Sequence, residues 1–143
     1  MVFAFTARAA AAEAFEDDET FVAGVAEQEN GGGHELTFMC CLHEPDEQDI
    51  ALGMDSYCLV TADQGTVYGG VKEVRLKDRV LHVVVDSSNL EALGLDDAEI
   101  EVTLDVDDER IEQLREGLLR VLAYGRPSER PALLELGQRR CAQ

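Results

Sequence analysis

Positive charge is scarce in this sequence. Twelve Lys and Arg face 30 Asp and Glu, leaving a formal net charge of −18. A surface so acidic repels the phosphates of nucleic acid and of anionic membranes, so neither is expected as a partner. The shortage is also uneven: residues 1–60 hold thirteen acids and one base, Arg8, whereas residues 61–143 hold seventeen acids and eleven bases. An acidic surplus keeps a protein soluble. It also steers a basic partner into contact, at rates on the order of 10⁸–10⁹ M⁻¹ s⁻¹ in low salt.

Glycine and proline are few, 12 and 3 in 143 residues, against 45% hydrophobic residues, which excludes a fibrous or low-complexity chain. The length suits one domain, 1–143, with a core of its own. Cys40, Cys41, Cys58 and Cys141 make no CxxC pair and show no zinc spacing. They read as small buried hydrophobes in a reducing compartment. The N-terminus lacks the sustained apolar stretch of a secretory leader, and no apolar run nears the ~18 residues of a membrane span, which together point to the cytoplasm.

Catalytic motifs are missing too. The glycines fit neither GxGxxG nor GxxxxGK[ST], there is no HExxH, and no serine stands in GxSxG. We therefore expect no catalytic residue, no cofactor and no metal: the chain is not an enzyme. Asp105, Asp107, Glu109 and Glu116 mimic part of a calcium loop, but Arg110 stands where that loop's sharp turn needs glycine. His43, Glu44, Asp46 and Asp49 could gather a divalent ion, yet the ordinary alternative is a strand end at His43 and a turn capped by Asp46.

What is there is a run of strands and one long helix. Val2 to Ala9 alternates with the period of a strand, Phe3, Phe5 and Ala7 on one side. The alanines Ala9 to Ala12 then lead into the repelling cluster Glu16 to Glu19, expected as a solvated loop. Thr20 to Glu27 and Glu35 to Leu42 form a hairpin about Asn30-Gly31-Gly32-Gly33. The segment His43 to Asp49 is a loop or one helical turn, and Tyr57 to Thr61 is extended. Val67 to Leu76 is expected as one long strand bulged at Gly69-Gly70. Val80 to Val85 is a central strand after the turn Lys77-Asp78-Arg79. Ser87 or Ser88 caps a short helix, Asn89 to Leu93, that Gly94 ends. Ala98 to Val106 alternates with Ile100, Val102, Leu104 and Val106 inward. The long helix begins at Asp107-Asp108 with Ile111, Leu114, Leu118, Val121 and Leu122 at helical spacing and stops at Gly125 and Pro127. The tail at Leu133 to Leu136 adds an edge strand. The class is α+β: a mainly antiparallel sheet of about six to eight strands with one long C-terminal helix packed on one face.

The most distinctive segment runs Asp46-Glu47-Gln48-Asp49-Ile50-Ala51-Leu52-Gly53-Met54-Asp55-Ser56-Tyr57-Cys58, followed by Tyr68-Gly69-Gly70. It resembles the Imm10 family of bacterial immunity proteins, which carry a DEQD-x-x-LGMD-x-Y motif and a downstream YGG. The likeness extends from Phe21 to Glu27 through Ile100 to Leu122, with local departures at Ala9 to Ala12 and Gly31 to Gly33. Such proteins are encoded beside polymorphic toxins, and the resemblance implies a chain that binds and neutralises a toxin, with no catalytic residue to carry over.

A toxin that cuts nucleic acid needs a basic groove, and carboxylates can sit in it where phosphates would. Asp46, Glu47, Asp49 and Asp55 are the expected sources of that charge, with Tyr57 or Tyr68 as aromatic anchors, although sheet packing is the more ordinary role for either tyrosine. Two other readings are a metal- or ligand-binding enzyme domain using the loop 46–55, and a structural oligomerisation module.

Overall fold

The computed structural model describes residues 3–29, 33–42, 47–51, 57–61, 65–77, 79–94, 97–124, 131 and 133–135. The chain forms, in order, β1 (Phe3–Ala7), β2 (Ala9–Phe15), β3 (Thr20–Ala26), β4 (Glu35–Cys41), α1 (Glu47–Ala51), β5 (Cys58–Thr61), β6 (Thr66–Tyr68), β7 (Val71–Lys77), β8 (Val80–Val85), α2 (Leu90–Leu93), β9 (Glu99–Leu104), α3 (Asp108–Leu122) and β10 (Leu133–Glu135). The class is α+β and mostly antiparallel, with a long helix after the main strands, as the hydrophobic periods require. The expected single sheet of six to eight strands is, among the described residues, ten strands in two sheets: β1-β9-β8-β7-β10 (sheet I) and β2-β3-β4-β5-β6 (sheet II). Among the described residues only the β1–β9 and β7–β10 pairs run parallel.

Two short segments carry the chain between the sheets. At Arg8 it passes from β1 in sheet I to β2 in sheet II, so the alanine run is not the lead into a loop but a seven-residue strand paired along its whole length with β3. At Gly69-Gly70 it returns to sheet I. The two glycines have φ of 74° and 82°, values that side-chain-bearing residues rarely adopt, and a Cβ at Gly70 would run into the Asn89 amide. The expected bulge at this pair is thus a crossing point that splits one predicted strand into β6 and β7; the register shift itself falls between Val71 and Glu73. Tyr57 braces the crossing. Its hydroxyl accepts a hydrogen bond from the Val71 amide (3.1 Å), and its carbonyl accepts one from the Gly69 amide (2.8 Å).

The inward faces of both sheets and of α3 share one hydrophobic core. Phe5 and Ala7, Val74 and Leu76, Leu81 and Val83, and Ile100, Val102 and Leu104 supply sheet I; Ala23 and Val25, Leu36 and Phe38, and Leu59 supply sheet II. In β9 the alternation places Ile100, Val102 and Leu104 inside and Glu99, Glu101 and Thr103 outside, as the period of two predicts. Helix α3 lies across β2, β3 and β4 with Leu114, Leu118, Val121 and Leu122 buried. Asp107 caps it by accepting from the Arg110 amide (2.9 Å). A Cβ at Gly117 would stand 2.5 Å from the Ala12 Cβ and 3.1 Å from that of Ala23, so the small residues let helix and sheet approach closely.

The side-chain cap belongs to Asp86, ahead of the 3₁₀ turn Ser87–Asn89 that leads into α2, rather than to Ser87 or Ser88, and Asn89 at the start of α2 makes no such bond. The Asp86 carboxylate accepts from the Ser88 amide (3.0 Å) and hydroxyl (2.8 Å), and these bonds hold its pKa below the usual carboxylate value. Gly94 ends the helix at φ 68° as expected. The hairpin turn at 30–32, the helix stop at Gly125 and Pro127, and the tail beyond Glu135 lie outside the described residues. No described helix is long and apolar enough to cross a membrane.

Candidate partner-binding surface

The topology turns the charge asymmetry of the sequence into an asymmetry of the molecule. Sheet II and its connections span residues 9–68, a stretch with fourteen Asp and Glu and no Lys or Arg. Every basic residue except Arg8 comes later, in sheet I, α3 or the tail. Where α3 touches sheet II, its arginines are engaged at the inner side and the β2 edge. Arg120 stacks over Phe21 with its guanidinium 4.6 Å from the ring centre, Arg115 is buried and paired with Glu112 (2.6 Å), and Arg110 reaches the Ala10 carbonyl (3.4 Å).

The outward faces of the two sheets differ accordingly. Sheet I presents mixed charge: Arg75 lies 3.8 Å from both Glu73 and Glu135, and His82 lies 3.3 Å from Glu99. Such exposed pairs contribute little to stability and describe an ordinary solvated face. Sheet II presents almost none. Two rows of its outward side chains run through all five strands, Glu13-Val22-Met39-Cys58-Tyr68 and Ala11-Gly24-Thr37-Val60-Thr66, flanked by the shorter rows Phe15-Thr20-Cys41 and Ala9-Ala26-Glu35. Val22, Met39, Cys58 and Val60 are half-buried, while Phe15 and Tyr68, on the two edge strands, are 44% and 43% exposed. A shallow groove of about 330 Å³ crosses β2, β3 and β4 between Phe15 at one end and Glu35 at the other.

The residues expected to meet a partner are placed as follows. Glu47 is exposed at the start of α1, the single helical turn that includes Asp49. Asp46 and Asp55 lie outside the described residues. Tyr68 is an exposed side chain on β6. Tyr57 is fully buried, with the structural role described above, and cannot reach a partner without unfolding the core; sheet packing, the ordinary role of a tyrosine, is its role here. Half of the loop 46–55 considered for a metal, residues 46 and 52–55, likewise lies outside the described residues, and among the described residues no group of three or more His, Cys, Asp or Glu could hold an ion.

The Cys40 and Cys58 thiols are not poised for chemistry. Burial pushes the Cys40 pKa up to about 11, against a smaller opposing pull from Arg120, and burial also raises that of Cys58. Sequence reasoning overlooked the outward face of sheet II because its residues are individually unremarkable. The signal was the lack of Lys and Arg among alternating apolar and small residues, which acquires meaning only once the five strands are known to be neighbours.

The described chain thus folds into two sheets with a covering helix, and the base-free stretch 9–68 supplies one sheet and its connections. The sequence model of Imm10, Immunity protein 10, matches residues 6–112, and the chain belongs to this family. Its class of function is therefore that of an immunity protein, the neutralisation of a toxin. No curated protein and no solved structure matches the chain.

Proposed function

We propose that this chain neutralises its cognate toxin by binding a basic surface on it and covering that surface, without bond-making or bond-breaking of its own. The observation that carries the reading is the continuous stretch from residue 9 to residue 68, fourteen carboxylates without one Lys or Arg, folded into a single sheet and its connections. A toxin acting on nucleic acid would carry complementary charge in its substrate groove, and occupying that groove would exclude the substrate. Four of these fourteen carboxylates, Asp46, Glu47, Asp49 and Asp55, fall in the sequence between β4 and β5 and are the ones assigned to the contact, with Tyr68 on β6 as its aromatic partner. The protein works where the toxin would act, in the cytoplasm.

The test is co-expression with the toxin domain encoded beside this chain. Cells making the toxin alone should stop growing, and cells making both should grow. Equal growth arrest with and without the chain would refute neutralisation.

A further inference from the structure

The geometry points to the outward face of sheet II as the centre of the toxin contact, an inference that rests on the reading above and assigns it a place. A sheet normally solvates its outer side with charge, as sheet I does. Here a protein with 30 acidic residues leaves the middle of one sheet face without any: of the two cross-strand rows, only Glu13 is charged. The charges instead lie around it: carboxylates at Glu13, Glu16 and Asp17 beside β2 and at Glu29 and Glu35 at the opposite end, with Arg110 of α3 as the one cation in the groove lining among the described residues. An uncharged centre within a charged rim is the usual anatomy of a protein interface.

The rim selects the occupant. Arg110, which donates to the Ala10 carbonyl, is the one cation there; sheet II and its connections supply none from residue 9 to residue 68, so the partner surface that fits is apolar at its middle and mainly basic around it, which is a different protein and not a second copy of this acidic chain. The size is appropriate. Five strands about 4.8 Å apart and up to seven residues long, at about 3.4 Å each, give at most roughly 450 Å². This lies within the range of roughly 300–600 Å² of the largest apolar patches on soluble proteins, which are often functional. The ~800 Å² per partner of a stable complex therefore needs contacts from the rim as well as from this face. Phe15 and Tyr68, on the edges, are the large exposed side chains on this face.

Two variants that each change the net charge by the same two units separate local contact from long-range attraction. Thr37→Lys with Tyr68→Lys places the charge on the proposed face; Glu101→Lys places it on the outward face of sheet I. The full chain and both variants, first checked for an unchanged circular-dichroism melt, are titrated calorimetrically against the toxin domain encoded beside this chain. The face variant should bind at least about tenfold more weakly, and Glu101→Lys by less than about threefold. Equal weakening in the two, or a larger loss in Glu101→Lys, would overturn the assignment of the face while leaving neutralisation intact. Failure of the unaltered chain to bind would overturn the proposed function and this inference with it. A dimer of the unaltered chain in sedimentation, dissolved by the face variant, would give the face to a second copy and equally overturn the proposal. If the first variant does not fold, Thr66→Lys with Tyr68→Lys, both at exposed positions of β6, makes the same comparison.

Discussion

Replacing Gly117 by alanine tests how this fold is closed. At an exposed position in the middle of a helix the change stabilises by about 0.8–1 kcal/mol, because glycine loses more backbone freedom on folding. Gly117 is instead pressed against β2 and β3, where the new methyl would stand 2.5 Å from the Ala12 Cβ and 3.1 Å from that of Ala23. Neither atom is the end of a flexible chain, so helix and sheet must separate. Overpacking of this kind costs typically about 1–3 kcal/mol, enough to cancel the propensity gain and exceed it. We expect Gly117→Ala to destabilise by about 1–2 kcal/mol in urea unfolding, lowering the melting temperature by several degrees. The double mutant with Ala12→Gly should recover at least about 1 kcal/mol relative to the sum of the single changes, because it removes the closer of the two contacts. A Gly117→Ala variant more stable than the parent, or a coupling near zero, would refute this account of the helix–sheet contact.

Three further outcomes follow from the local chemistry. Asp107→Ala removes the α3 cap and should cost about 1 kcal/mol in the same unfolding assay, whereas Asp107→Asn, which can still accept from the Arg110 amide, should cost less. The Asp86 pKa is held below its ordinary 3.8 in the folded state, so its contribution is complete above that value and is lost as pH falls through the depressed one. An acid titration should therefore show the parent and Asp86→Asn converging in stability below about pH 4; a gap that widens instead would contradict the cap. Buried at a pKa of about 11, Cys40 should resist alkylation at pH 8 until the protein unfolds, as read by mass spectrometry of the labelled peptide; prompt labelling in the native state would contradict its placement.

Much of the architecture was legible because hydrophobic period and burial coincide. The β9 alternation, the central β8, the β3–β4 hairpin and the face of α3 all follow from where apolar residues recur. The division into two sheets was not legible. A strand that stops in one sheet and resumes in another has the same local pattern as a bulged strand, and only the partners of Val67 and Val74 on their respective sheets tell the two apart. The alanine run was misplaced for a related reason. Alanine has little strand preference of its own, and β2 owes its conformation to pairing with β3 and to the small volume that α3 demands at Ala12. Of the expected contact residues, Tyr57 shows the limit most directly: its place in a distinctive motif gave no indication of a side chain consumed by the Gly69-Gly70 crossing. Tyr68, eleven residues on and paired with Cys58, is on the surface.

The central claim is that carboxylates gathered on one sheet and its connections draw in a basic toxin. The most direct measurement is the association rate constant of this chain with the toxin domain encoded beside it, by stopped-flow at ionic strengths from about 20 to 500 mM, across which the screening length falls severalfold. The account predicts a rate that drops at least about tenfold over this range while the dissociation rate changes little. An association rate indifferent to salt would contradict it.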